Sequence, residues 1–177
     1  MTKKILWISR MEPNKRPRDA LAVIKKIKEK LGDAELYMIG EGTLLAEAKE
    51  AGRQIEGSHF LGSVSDKRKE QLLKGCDVLI STSEFEGFGL TIGEAFLKGK
   101  PVVTYRIPSI VSVYGDAVVY AKVGDINDFS DKLYKVLTDD AYRKRKASQG
   151  REKVLREYST ETVAGKIESA LREILKQ

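Results

Sequence analysis

The sequence predicts an α/β fold, a Rossmann-like parallel sheet with helices on both faces. Three observations predict it. Short apolar runs alternate along the chain with longer segments whose apolar residues recur at helical spacing. The loops 10–15, 40–43 and 83–89 each follow such a run, so in a parallel sheet they gather on one edge. A chain of 177 residues, 41% hydrophobic, fits one domain with one core spanning residues 1–177.

The elements follow in order. Lys4–Ser9 reads as a strand. Arg18–Leu31 carries Leu21, Ile24, Ile27 and Leu31 on one helical face, with Pro17 suited to the first turn. Glu35–Ile39 is the next strand, Leu44–Ala51 a helix and Ser58–Leu61 a short strand. Asp66–Lys74 is a helix for which Ser65 is a fitting cap. Asp77–Ser81 is a strand, Leu90–Lys98 a helix, and Pro101–Tyr105 and Ala117–Tyr120 are strands. Asp128–Leu137 and Ala141–Glu157 are helices, and Thr160 is placed to cap a final one, Glu161–Leu175.

Composition excludes several classes of function. No apolar run approaches the roughly 18 residues of a membrane span. The N-terminal residues lack the apolar stretch of a signal peptide. Cys76 is the only cysteine, so no internal disulfide forms, and a reducing, cytoplasmic setting is expected. The net charge of +6 suits an anionic partner. The basic residues are dispersed, as in Lys25-Lys26, Lys67-Arg68-Lys69 and Arg143-Lys144-Arg145-Lys146, mostly on what read as solvated helix faces. They are not interleaved with aromatics as on a stacking platform, which argues against nucleic acid. Contact with a membrane surface carrying a lipid-linked acceptor, peripheral to the inner face, stays open.

The stretch richest in chemistry is Glu86-Gly87-Phe88-Gly89-Leu90-Thr91-Ile92-Gly93-Glu94. A strand runs into a glycine turn and then a helix, so free N–H groups and the positive dipole end face outward. Such a place suits phosphate or sugar oxygens, and the two carboxylates accept from hydroxyls. After the first strand, Arg10 and Lys15 supply a planar fork and a point charge, with Pro13 stiffening the turn between them, an arrangement able to hold a diphosphate. Gly40-Glu41-Gly42 does not complete a dinucleotide fingerprint, because Leu45 occupies the third glycine position.

Taken with Phe60-Leu61-Gly62-Ser63-Val64-Ser65, Gly75-Cys76-Asp77-Val78 and Gly99-Lys100-Pro101-Val102-Val103, this stretch resembles the Glu-x7-Glu signature and its surroundings in the family-four retaining glycosyltransferases of GT-B fold. The resemblance covers the C-terminal, donor-binding half of such enzymes, from about Ile5 onward. It implies transfer of a hexose from a nucleotide diphosphate sugar to an acceptor hydroxyl with retention, without a metal or other cofactor. It also implies an N-terminal acceptor domain absent from this chain. By the resemblance, Arg10 and Lys15 neutralise the departing diphosphate and Glu86 grips a donor-sugar hydroxyl. The backbone of Gly87, Phe88, Gly89 and Leu90 lines the phosphates and sugar, Glu94 accepts from the ribose, and Gly40 and Gly42 border the nucleotide. Ser83 and Thr91 are further donor-binding candidates.

The chain departs from the family pattern in places. Ser9 and Arg16 stand where the family has glycine, so a bulkier loop is expected. Pro108-Ser109 and Ser112 stand where it has Gly-Gly and Glu, which implies an unusual sugar or a remodelled loop. Two rival readings remain: a nucleotide-sugar binding subunit without chemistry, and half of a GT-B epimerase or phosphorylase. Glu84 with Glu86 is a weak candidate metal pair, and the site is read as holding no metal. His59, the sole histidine, is placed on a solvent-facing strand edge.

Overall fold

The computed structural model describes residues 2–175; the end residues 1, 176 and 177 of the predicted domain lie outside them. Six strands form one sheet: β1 (Lys3–Ile8), β2 (Ala34–Ile39), β3 (Ser58–Gly62), β4 (Val78–Ser81), β5 (Val102–Tyr105) and β6 (Val119–Ala121). Their spatial order is β3-β2-β1-β4-β5-β6, and every pairing is parallel. The central strands are short and almost wholly apolar because both faces are covered; β5 is buried along its full length.

The helices are α1 (Pro17–Leu31), α2 (Leu45–Gly52), α3 (Asp66–Gly75), α4 (Leu90–Leu97), α5 (Pro108–Tyr114), α6 (Ile126–Thr138), α7 (Asp140–Tyr158) and α8 (Thr160–Ile174). Single 3-10 turns lie at Pro13–Lys15 and Gly115–Ala117. Strand order runs outward in both directions from β1 and β4. With right-handed crossovers, α1 and α2 therefore fall on one face and α4 on the other. The packing agrees: α1 lies against α2 and α6, and α4 lies against α7. The core includes Ile5, Trp7, Ile24, Leu36, Val78, Phe96, Val103 and Phe129, all nearly inaccessible.

Two predictions needed correction. Residues 108–114, read as loop, form α5, which Pro108 opens at its first turn. The last helix begins at Thr160, one residue before the predicted start, and its cap is Ser159, whose hydroxyl accepts from the Thr162 amide. The capping of α3 by Ser65, through the Arg68 amide, is as expected. Cys76 is buried between α3 and β4, and burial pushes its thiol up to about 12. His59 lies on edge strand β3, partly exposed and stacked on Tyr37. Among the described residues, no helix is long and apolar enough to cross a membrane.

Candidate functional site

Where neighbouring strands send their chains to opposite faces, the loops at their carboxyl ends part and leave a crevice. Here that happens between β1 and β4. A cleft of about 700 Å³ opens there, lined by Ser9, Arg10 and Lys15 from the β1 loop and Gly40 and Glu41 from the β2 loop. Ser63, Val64 and Lys69 wall it on the β3 side, and Glu86, Phe88, Gly89, Leu90 and Thr91 close it from the β4 side.

The centre of the site is an ion pair between loops far apart in sequence. Lys15 Nζ lies 2.7 Å from Glu86 Oε1 and also donates to the Phe85 carbonyl at 3.0 Å. Ser83 Oγ donates to the same Glu86 oxygen at 2.8 Å. Two donors thus hold Oε1, while Oε2 has no protein donor among the described residues. Lys15 is only 8% exposed, so its ammonium is oriented by these partners, not by water. Arg10 lines the cleft, is exposed, and makes no ion pair among the described residues.

Each loop is held from beneath. Trp7 Nε1 donates to Thr82 Oγ1 at 3.0 Å, and Thr82 Oγ1 donates to the Lys15 carbonyl at 2.8 Å. The Glu84 amide donates to the Asn14 carbonyl at 3.0 Å. Ser109 Oγ donates to the Glu86 carbonyl at 2.5 Å, so α5 fixes the backbone of the Glu86 turn. Phe88 packs edge-on against Tyr158, the last residue of α7, with ring centroids 5.0 Å apart.

Two glycines are demanded by geometry. Gly89 caps α4 with φ 72, a left-handed conformation that a side chain disfavours. The turn leaves the first N–H groups of α4, at Leu90 and Thr91, without helical acceptors beside Glu86. Gly40, with φ 135, approaches β1 so closely that a Cβ would lie 1.7 Å from the Ser9 carbonyl oxygen.

The fold brings together Arg10, Lys15, Gly40, Glu86, Phe88, Gly89, Leu90 and Thr91, as the sequence predicts, and Ser83 reaches the cleft through Glu86. Gly42 lies behind the wall against Met11, and Gly87 sits at an open turn. Glu94 is placed differently from the others. It lines an adjoining hollow of about 450 Å³, and Lys69 stands at the border of both spaces. Lys69 Nζ pairs with Glu94 Oε1 at 2.9 Å, which raises the Lys69 pKa. Glu94 Oε2 is buried without a donor.

Glu84 and Glu86 do not face one ion: Glu84 pairs with Arg16 at 3.0 Å and Glu86 with Lys15. Sequence reasoning missed Lys69 and Ser109. Lys69 looked like one more cation of a solvated helix, and its only signal was a place one turn beyond the Ser65 cap. Ser109 had no sequence signal beyond its departure from the family pattern.

Comparison with known proteins places the chain in a family. The sequence model described as Glycosyl transferases group 1 matches residues 1–153. The chain is 28% identical over 171 residues to the glycogen synthase of Mycobacterium tuberculosis, covering 91% of this chain and 40% of that protein. It is 30% identical over 177 residues to the poly(ribitol-phosphate) alpha-N-acetylglucosaminyltransferase of Staphylococcus aureus, covering 93% and 34%. The solved structure of a Staphylococcus aureus TarM mutant with fondaparinux, alpha-GlcNAc-glycerol and UDP superposes with a TM-score of 0.86 at 25% identity, covering 95% of this chain and 35% of that one. The chain therefore spans well under half the length of these relatives. With the family's sequence model matching most of its length and a Rossmann-like sheet with a cleft at the β1/β4 crevice, the chain belongs to the group 1 glycosyl transferases.

Proposed function

We propose that this chain is the donor-binding half of a glycosyltransferase. It would bind a nucleotide diphosphate sugar in the β1/β4 cleft and serve transfer of the hexose to an acceptor hydroxyl with retention at the anomeric carbon. The observation that carries this reading is the Lys15–Glu86–Ser83 cluster beside the free N–H groups of α4. Lys15 and the exposed Arg10 offer positive charge to a diphosphate whose negative charge grows as its bond to the sugar breaks. In this reading those two cations do the work a divalent metal would otherwise do. Glu86 Oε2, free of protein donors among the described residues, accepts from a sugar hydroxyl. The α4 N–H groups meet phosphate or sugar oxygens. Glu94 Oε2, buried without a donor, accepts from the ribose. The acceptor is held by a further domain, in keeping with relatives more than twice as long as the matched segment.

A thermal-shift titration with UDP, GDP and ADP, and with their sugars, tests the reading. UDP is the first choice because the TarM structure contains it. A ligand at a hundred times its Kd stabilises the folded state by about 2.7 kcal/mol, which moves the melting temperature of a chain this size by about 5–10 °C. One nucleoside diphosphate should produce such a rise. Absence of a rise with all three, or an equal rise with inorganic phosphate, would overturn the proposal.

A further inference from the structure

Arg16 is the only non-glycine residue with positive φ among the described residues, at φ 48 and ψ 55. Its position is doubly unfavourable. A Cβ disfavours the left-handed region, and the following Pro17 drives the preceding residue toward extended backbone. Strain of this kind persists only where surrounding contacts over-determine it, and it concentrates at functional sites.

The contacts are all present. Arg16 Nε pairs with Asp19 Oδ2 at 2.7 Å and Nη1 with Glu84 Oε2 at 3.0 Å. The guanidinium lies over the Tyr105 ring, 6.0 Å from its centroid, and beside Gly124 in the loop after β6. Tyr105 Oη donates to the same Asp19 oxygen at 2.5 Å. Asp19, then Glu84, hold Arg16 still further into its charged form. One side chain thus ties the β1 loop to the β4 loop and to the end of β5. The residue before it is Lys15, and two positions beyond Glu84 is Glu86. The bridge therefore brackets the central ion pair from both sides while its own guanidinium points to none of the cleft-lining groups.

We infer that Arg16 is a positioning residue: its strained turn and its bridge to Glu84 set Lys15 against Glu86, and so set the diphosphate subsite. The inference rests on the donor-site reading above. It also gives the departure from glycine at this position a physical purpose. Glycine would relieve the strain and remove the bridge.

The test is calorimetry on the purified chain with whichever of UDP, GDP and ADP binds the wild type most tightly, and with its nucleoside. Arg16→Gly should weaken the diphosphate about tenfold and leave the nucleoside unchanged. Arg16→Lys should recover part of the loss, since an ammonium keeps the charge but not the fork. Glu84→Ala removes the acceptor and so cuts the bridge from its other end; it should act in the same direction, which keeps the test decisive if Arg16→Gly fails to fold. In a Lys15→Ala background neither change should cost anything further, because a residue acting through Lys15 has nothing left to position. Full additivity with Lys15→Ala, equal loss of nucleoside, or unchanged diphosphate affinity would overturn the inference while leaving the donor site standing. A wild type that binds none of the three diphosphates overturns the donor-site reading itself, before any variant is made.

Discussion

The two glutamates of the glycine turn occupy different surroundings, and this separates their roles. Glu86 lines the cleft with one oxygen held by Lys15 and Ser83, whereas Glu94 lies on α4 in the adjoining hollow, paired with Lys69. Glu86→Gln should therefore weaken a nucleotide sugar about tenfold or more and leave the bare nucleotide within about twofold. Glu94→Gln should weaken both, if the orphaned Oε2 accepts from ribose. The same change releases Lys69 toward the cleft, but that partly exposed pair contributes only about 0–1 kcal/mol, less than the roughly 1.5–3 kcal/mol of a hydrogen bond to a charged group. Weakening should win. Calorimetry of both variants with nucleotide and nucleotide sugar decides, and equal effects on the bare nucleotide would refute the division. Spacing alone made both carboxylates legible as candidates. It could not show the contact that matters most, between Lys15 and a residue 71 positions away. Nor could it show the left-handed turn at Arg16, which read only as extra bulk in place of glycine, because φ is set by the loops that converge on that residue.

At the scale of elements, the strands were legible because a sheet buried on both faces leaves continuous apolar runs. The long helices were legible from their 3.6-residue period. The missed helix, α5, has seven residues, too few for a period to register, and it opens on a proline that also marks turns. Only Ile110 and Tyr114, four apart and buried, record its inward face. The glycines of the cleft edge were legible as turns, but the degree of their constraint came from the neighbouring loop. Gly40→Ala places a Cβ 1.7 Å from the Ser9 carbonyl oxygen and imposes a left-sided φ of 135, so β2 must pull away from β1 at the cleft. The expected loss of stability is about 3 kcal/mol or more. Gly32→Ala is the matched control: φ is 73 and ψ is −60, yet nothing lies within 4 Å of the added atom, so only backbone strain of about 1–3 kcal/mol is expected. Urea unfolding of the two variants measures the difference, and equal destabilisation would mean that the close approach at Ser9 relaxes freely.

For the molecule as a whole, the site is a wall with one side open. The cleft is assembled at the carboxyl ends of the strands, and Leu90 in its lining is 72% exposed. In the proposed reading, the groups this chain contributes act on the donor: cations for the diphosphate, a carboxylate for the sugar, helix N–H groups for phosphate or sugar oxygens. Transfer needs more than that. Holding donor and acceptor in register is worth about 7–11 kcal/mol of the barrier, and an acceptor that arrives from bulk water forgoes it. Water also enters an open cleft and weakens the field of Lys15 and Arg10 on the departing diphosphate, since charge stabilisation depends on a water-excluded site. This chain spans 40% and 34% of two relatives, and the proposed reading assigns acceptor holding and closure to a further domain of that kind of length. The 177-residue chain by itself should therefore bind the donor and transfer none of its sugar. Incubation with the tightest-binding nucleotide sugar and a panel of hydroxyl acceptors, followed by mass spectrometry, checks this. Donor binding without glycosylated product is expected, and sustained transfer by this chain alone would show that acceptor positioning is already built into it.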